Sequence, residues 1–124
     1  MNRRTALFVV GLTGFLGIAL GAFGAHALKH LLSLNHTIEV WHTAVLYHLV
    51  HAPVLFLIAR SKVIHTATFL CFSFGILLFS GSLYGLALSD ILWLGAITPF
   101  GGLLLMAGWV LVAVNGFKES TAEQ

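Results

Sequence analysis

The stretch from Glu39 to Pro53 reads EVWHTAVLYHLVHAP and places several polar side chains within an apolar segment. At about 100° per residue, Glu39, Thr43, Tyr47 and His51 follow one another at intervals of four residues and form a slowly drifting stripe along a helix. The rest of the chain is much more apolar. A polar stripe in such surroundings needs hydrogen-bond partners from other segments or from water. The stretch therefore predicts a helix that packs among other helices.

The composition is that of a membrane protein. Only 8% of the 124 residues are charged and 59% are hydrophobic, with a mean hydropathy of +1.00, whereas ordinary soluble domains are about 25% charged. The net charge is +2, and the six basic residues are scattered, which excludes a nucleic-acid-binding patch. Cys71 is the single cysteine, so an internal disulfide and a CxxC metal site are also excluded.

Four stretches are long and apolar enough to cross a hydrocarbon core, which takes roughly 20 residues. These stretches are residues 5–28, 39–59, 65–88 and 91–114. The leucine-rich residues 28–38 are too short to cross and predict an interfacial helix. The predicted fold class is therefore all-α, an integral membrane four-helix bundle with a short interfacial helix between helices 1 and 2. Residues 1–117 form the predicted transmembrane domain, and residues 118–124 a polar cytoplasmic tail.

Basic residues are distributed unequally between the two ends of the predicted spans. The basic residues at the end that carries the termini are Arg3, Arg4, Arg60, Lys62 and Lys118. Lys29 alone lies at the other end. Because cytoplasmic segments carry the excess of Lys and Arg, both termini are expected to face the cytoplasm. Trp41 and Trp93 are then expected near the outer interface, since indole rings favour the headgroup level.

Polar residues of all four predicted spans fall in the outer half of the membrane. At a rise of about 1.5 Å per residue, His51 lies ~16 Å below the outer end of its span, near the midplane of a ~30 Å core. Ser80 and Tyr84 lie on one stripe of the third span at overlapping depths, so we expect His51 and Tyr47 to face the interior and to meet one of them. The converging residues are His26, Thr43, Tyr47, His51, Ser80, Tyr84 and Thr98. They predict a polar cluster or ligand-binding pocket that is closed toward the cytoplasm.

Glycines recur at spacings of three and four residues along the first span. Missing side chains allow two helix backbones to approach closely, so such glycines are typical of helix-packing faces in membranes. The predicted helix-packing residues are Gly14, Gly17, Gly21 and Gly24 on the first span and Gly81 and Gly85 on the third.

Several strings occur together in a fixed order in this short chain. They are GAFGAHAL at 21–28, Thr43, Tyr47 and His51-Ala52, FSGSLY at 79–84, TPFGG at 98–102, and Gly108-Trp109. Over nearly its whole length the chain resembles the YgdD-like family of small multi-pass bacterial inner-membrane proteins, a domain of unknown function. The resemblance implies four helices in the bacterial inner (plasma) membrane and no assigned activity. The family positions that it implies here are His26, Thr43, Tyr47, His51, Ser80, Ser82, Tyr84, Thr98 and Pro99, whereas His42 and His48 lie outside the pattern.

A metal site is one interpretation of the histidines, because imidazole and carboxylate ligands suit Zn, Cu, Fe or Ni. Glu39 and His42 are three residues apart, as are His48 and His51. The two pairs point about 180° apart around a helix and cannot serve one ion. The metal and the cofactors therefore stay unknown.

Two functions from different classes remain open. The chain is predicted to be a packing, accessory or assembly protein in the lipid bilayer. Its predicted partner is either a second copy of the chain, in a homo-oligomer, or another protein of a membrane complex. The alternative is a protein that binds or transports a small molecule, a lipid or quinone, or a metal ion at His51, Tyr47 and residues 79–84. No catalytic residue is predicted, since Asp90 lies in a predicted turn and no Ser-His-Asp arrangement is possible.

Overall fold

The computed structural model describes residues 1–122, and for residues 117–122 it describes the backbone only. The helices are α1 Arg3–Ala25, α2 Lys29–Leu34, α3 Ile38–Arg60, α4 Thr66–Ser89 and α5 Thr98–Ala122, with a 3-10 helix Leu92–Ala96 before α5. Within these described residues there is no strand. The all-α fold class is therefore confirmed.

Four segments are long and apolar enough to cross a membrane, namely α1, α3, α4 and Leu92–Gly116, with mean hydropathies from 1.5 to 2.2. Because the chain crosses the bundle four times, the fourth span ends at the end of the bundle where the first span begins. Neighbouring spans pack in the order α1, α3, α4, α5. This arrangement confirms the four-helix membrane bundle, and α2 is the short helix expected between the first two spans.

The fourth span differs from the single helix predicted for residues 91–114. Asp90 adopts a left-handed conformation with φ 56° and ends α4. The chain then forms the 3-10 helix, and α5 begins only at Thr98. Pro99 lacks an N–H and has a fixed φ, so it is well suited to the first turn of a helix and unsuited to its interior. At the other end α5 continues to Ala122, while residues 123–124 of the predicted tail lie outside the described residues.

Two apolar clusters hold the spans together near their ends. The terminal cluster, at the end that carries the chain's first residue, consists of Ala6, Leu55, Ala59, Phe69, Phe72, Ile76 and Leu105. The loop cluster, at the opposite end, consists of Leu32, Trp41, Ala44, Tyr84 and Ala87. Trp41 is buried in the loop cluster, at 1% exposure, whereas Trp93, the other tryptophan predicted near that interface, is 66% exposed. The polar residues of α3 and α4 lie mostly between the two clusters.

Close packing of α1 on α3 follows three of the predicted glycines. A Cβ added at Gly17 would lie 2.6 Å from Leu49 Cδ2, and one added at Gly21 would lie 3.3 Å from Val45 Cγ1. A Cβ at Gly24 would overlap the indole ring of Trp41. At Gly24 the Trp41 ring therefore leaves no room for a side chain, whereas at Gly17 and Gly21 the side chains of Leu49 and Val45 would have to shift to admit one.

The other predicted packing glycines behave differently. Gly85 approaches Leu94, which would lie 3.2 Å from an added Cβ. An added Cβ would meet nothing within 4 Å at Gly14, and at Gly81 it would meet only Leu77 of the same helix, at 4.0 Å. Gly14 lies about 80° around α1 from Gly24, so the glycine stripe drifts away from α3. Gly14 and Gly81 therefore depart from the prediction and pack against no neighbouring helix.

Candidate functional site

A buried hydrogen bond between His48 of α3 and Tyr84 of α4 forms the centre of the site. His48 Nδ1 lies 3.2 Å from the Tyr84 hydroxyl oxygen, and the two side chains are 6% and 9% exposed. Which of these two atoms donates depends on the tautomer of the imidazole ring. The ring also lies against α1, since a Cβ added at Gly17 would be 3.4 Å from His48 Cδ2. His48 therefore contacts two neighbouring spans.

Tyr84 is fixed in turn by the loop cluster. Its ring centroid lies 4.7 Å from that of Trp41, at an interplanar angle of 59°, a tilted arrangement that aromatic pairs favour over a face-to-face sandwich. Trp41 Nε1 donates a hydrogen bond of 3.0 Å to the carbonyl oxygen of Leu20 in α1. Both polar aromatic side chains thus have a partner within the bundle.

The serines of the FSGSLY segment connect α4 to its two neighbours. Ser80 is buried and donates a hydrogen bond of 2.8 Å to the carbonyl oxygen of Ala44 in α3. Ser82 donates to the carbonyl oxygen of Phe79 at 3.0 Å. Its hydroxyl lies 2.7 Å from that of Thr98 at the start of α5. Among the described residues, no buried side-chain nitrogen or oxygen lacks a hydrogen-bond partner.

His51 faces the bundle but has different partners from those predicted. Its Nδ1 lies 2.7 Å from the carbonyl oxygen of Tyr47, so Nδ1 carries the proton. Its Nε2 accepts a hydrogen bond of 3.3 Å from Trp109 Nε1 in α5. The hydrogen-bond partners of His51 are therefore Tyr47 of its own helix and Trp109 of α5, not Ser80 or Tyr84 of α4 as predicted.

Tyr47, which was expected to face the interior, is 41% exposed. Its ring packs on Phe79, with the centroids 4.3 Å apart. The reason is the drift of the polar stripe around α3. Measured from His48 on the buried face, His51 lies about 60° away, Tyr47 about 100° and Thr43 about 140°. Only His51 therefore stays at the edge of the interior.

His26 and Thr43 lie apart from the other predicted site residues. Both side chains are exposed, and Thr43 donates its hydroxyl proton to the carbonyl oxygen of Glu39 in its own helix, at 2.9 Å. His26 ends α1 as its C-cap residue. A functional role for the eight predicted site residues stays a prediction, although the structure links six of them to one another or to a neighbouring helix.

His48 lies outside the predicted site, since the family resemblance does not include it. The signal for its position is the periodicity of the buried residues of α3. Those residues are Trp41, Ala44, His48, His51, Ala52, Leu55 and Ala59. Their spacing of three and four residues defines one helix face, and His48 lies at its centre.

A groove of about 400 Å³ lies between α1 and α4. Its walls are mainly aliphatic and aromatic, and His48, Ser80 and Tyr84 contribute to its lining. In the described part of the chain, no Cα atom of α1 comes within 8 Å of one in α4, so the groove is open sideways toward lipid. The volume falls within the range of about 300–1,000 Å³ that is usual for ligand pockets.

Two other possible sites are weaker. A depression of about 430 Å³ beside α1 and α3 is lined by aliphatic residues with Gly21, Trp41 and His42, and no buried titratable side chain reaches it. Among the described residues, no group of three His, Cys, Asp or Glu side chains is arranged so that it could hold a metal ion. The groove between α1 and α4 is therefore the candidate site.

Comparison with known proteins places the chain among small membrane proteins. The family model described as "Protein of unknown function (DUF423)" matches residues 20–102. The chain is 42% identical to the UPF0382 membrane protein YwdK of Bacillus subtilis, over 93% of this chain and 98% of the relative. It is 37% identical to a UPF0382 membrane protein of Haemophilus influenzae, over 96% of this chain and 98% of the relative. No solved structure matches the chain. The predicted class, a multi-pass membrane protein of unknown function, is confirmed.

Proposed function

Because this chain belongs to the DUF423 family of membrane proteins, we propose that its function lies within the bilayer, as a binding protein for a membrane-soluble amphiphile. The observation that carries the proposal is the groove of about 400 Å³ between α1 and α4, with His48, Ser80 and Tyr84 in its lining. Ionisable side chains within membrane spans are costly and rare, and they often line substrate pathways.

The shape of the groove favours a ligand with an apolar chain. Its α1 wall runs from Val9 to Leu20, about 16 Å at a rise of 1.5 Å per residue. The terminal cluster closes the groove at one end through Ala6 and Phe69, and the loop cluster closes it at the other end through Tyr84. A ligand therefore enters sideways from the lipid and places its apolar part along the two helices.

The same proposal includes the finer points of location. Arg3, Arg4, Arg60 and Lys62 lie at the terminal end of the bundle, and Glu39 and Asp90 lie at the other end. This distribution supports a bacterial inner membrane orientation with both termini in the cytoplasm. The likeness to the YgdD-like family also remains a proposal.

Filling the groove should remove the ligand while leaving the fold intact. Gly81 lines the groove, and an added Cβ there meets only Leu77, at 4.0 Å. We therefore expect Gly81→Leu to co-purify with about tenfold less lipid-like ligand than the wild type. Mass spectrometry of protein extracted in native nanodiscs measures the bound amount. Its thermal unfolding should stay close to that of the wild type, since Leu favours a helix more than Gly does.

The matched control is Gly116→Leu in α5. An added Cβ at Gly116 meets nothing within 4 Å, and this glycine does not line the groove. The control therefore adds the same side chain without narrowing the groove, and it should retain the ligand. Equal ligand content in the wild type and in Gly81→Leu would reject the binding function.

An accessory or assembly function is the second candidate, and α1 favours it. In the apolar 18-residue stretch of α1, 11% of the residues are buried, compared with 33% in that of α3 and 39% in that of α4. Gly11 and Gly14 have no neighbouring atom within 4 Å of an added Cβ, although glycines in membrane helices often mark helix–helix contacts. A second copy of the chain is the partner that this candidate requires.

If α1 forms such a contact, the double variant Gly11→Leu/Gly14→Leu should shift the protein from dimer to monomer in detergent. The larger side chains would hold the two α1 backbones apart. Light scattering with detergent correction measures the mass, and Gly116→Leu is again the control. An unchanged monomeric mass in all three proteins would remove this candidate, and the groove proposal would be unaffected.

A further inference from the structure

The apolar depression of about 430 Å³ beside α1 and α3 lies on a different face of the bundle from the groove between α1 and α4. Its lining includes Gly21 of α1 and Val45, Leu46, Leu49 and Val50 of α3. Among the described residues, none from α4 or α5 lines it, and Leu46 and Val50 are 59% and 52% exposed. The depression therefore faces lipid.

Two arginines lie on the same helix faces as this depression, at the terminal end of the bundle. Residues 18 positions apart share one face of an α-helix, because 18 residues make five full turns. Arg3 is separated from Gly21 by this interval in α1, and Arg60 from His42 in α3. Both Gly21 and His42 line the depression. The line of contact between the two helices, here called the α1–α3 seam, therefore runs from the depression to Arg3 and Arg60.

Hydrogen bonds hold the Arg3 guanidinium at the α3 side of the seam. Its Nη2 donates to the carbonyl oxygen of Ser61 at 2.7 Å and to that of Lys62 at 3.5 Å. Ser61 directly follows Arg60, the last residue of α3. A guanidinium has five N–H donors, so donors of Arg3 remain for a further partner beside Arg60. Arg3, Arg60 and Lys62 are all exposed.

The terminal end carries positive side chains without a compensating acid in residues 1–116. The basic residues there are Arg3, Arg4, Arg60 and Lys62, whereas Glu39 and Asp90 lie at the opposite end. Arginine matches the geometry of a phosphate group through paired N–H donors. Basic pockets between membrane helices are typical sites for the head groups of anionic lipids. The charge of the seam therefore fits a phosphate at the membrane surface.

We infer that the α1–α3 seam binds an anionic phospholipid, with its phosphate at Arg3 and Arg60 and one acyl chain along the seam toward the depression. Val50, at the near edge of the depression, is about 15 Å from Arg60 at a rise of 1.5 Å per residue. That distance is half of a ~30 Å hydrocarbon core, the depth that the acyl chains of one leaflet fill. The site is separate from the groove between α1 and α4 and does not depend on the function proposed for that groove.

The test compares two lipids with the same acyl chains, palmitoyl-oleoyl phosphatidylglycerol and palmitoyl-oleoyl phosphatidylcholine. Both carry a phosphate, but the choline group of the second lipid compensates the negative charge. The full chain is delipidated in a neutral detergent, and native mass spectrometry follows the binding of each lipid as its concentration is raised. We expect the wild type to bind phosphatidylglycerol about 25-fold more tightly, because each of the two arginines contributes about fivefold.

Arg60→Gln removes one of the two cations from an exposed position at the end of α3. The preference for phosphatidylglycerol should fall to about fivefold in this variant. Lys29→Gln is the matched control, since it removes one exposed cation at the opposite end of the bundle. It should keep the wild-type preference. Glycerol phosphate, which has the phosphate but no acyl chain, should not displace phosphatidylglycerol from the wild type.

A preference that falls in Arg60→Gln but not in Lys29→Gln supports the inference. Equal affinity of the wild type for the two lipids would overturn it. An equal fall in Arg60→Gln and Lys29→Gln would also overturn it, because the preference would then follow the net charge of the protein rather than the seam. Displacement by glycerol phosphate would reject a lipid as the occupant. The comparison of the two lipids in the wild type is decisive even if Arg60→Gln fails to fold.

Discussion

Replacing Gly101 with alanine is expected to destabilise the bundle by about 3 kcal/mol, at the upper end of the range for overpacked cores. A Cβ added at this position would lie 2.7 Å from the Cα atom of Phe79 and 2.8 Å from the carbonyl carbon of Leu78. Both are backbone atoms of α4, so no change of side-chain rotamer can relieve the overlap. The methyl group can fit only if α5 moves away from α4.

The neighbouring glycine gives a control within the same turn of α5. A Cβ at Gly102 would lie 3.7 Å from Cδ2 of the Phe79 ring, an ordinary van der Waals contact. Gly102→Ala should therefore be neutral or stabilising by up to about 1 kcal/mol, since alanine favours a helix more than glycine does.

Reversible unfolding in mixed detergent micelles, followed by circular dichroism, gives the two changes in the free energy of unfolding. A similar loss of stability in Gly101→Ala and Gly102→Ala would contradict the packing of α5 on α4. Equal stability of Gly101→Ala and the wild type would do the same.

The spans themselves could be predicted from the sequence because the bilayer imposes their length and their backbone bonding. An apolar stretch of roughly 20 residues must form a helix to satisfy its own N–H and C=O groups in hydrocarbon. The break before Thr98 could not be predicted from hydropathy, because residues 91–97 are as apolar as the helix that follows. Pro99 and Asp90 decide that local structure through their backbone conformations.

The candidate site was only partly predictable, since a four-residue repeat advances by about 40° at each step around a helix. Thr43, Tyr47 and His51 form a continuous stripe in sequence, but its two ends lie on different faces of α3. Which end is buried depends on the side of α3 against which the neighbouring helices pack. The residue pattern of α3 alone does not show that side. His48 lies at the centre of the buried residues of α3, forms a hydrogen bond with Tyr84 of α4 and lies against Gly17 of α1. Its apolar neighbours at helical spacing are therefore a better guide to burial than the polar stripe.

Trp41→Ala is expected to lower the free energy of unfolding by about 3–5 kcal/mol, the usual cost of removing a large buried aromatic side chain. Trp41 is 1% exposed and packs against Gly24 and Tyr84 in the loop cluster. It also donates the hydrogen bond of 3.0 Å to Leu20 that ties α3 to α1. Alanine would leave a cavity between α1, α3 and α4 and remove this bond. The loss should also loosen Tyr84, since one face of its ring would be left unpacked.

Trp93 is the matched control because it is the same residue type near the same end of the bundle but is 66% exposed. Trp93→Ala should change the free energy of unfolding by less than about 0.5 kcal/mol, as exposed substitutions usually do. Trp41→Phe should fall between the two, because phenylalanine fills most of the space but cannot donate to Leu20. The same detergent unfolding assay ranks the three variants. An equal loss of stability in Trp41→Ala and Trp93→Ala would mean that the two indoles contribute alike. That result would contradict the buried position of Trp41 in the loop cluster.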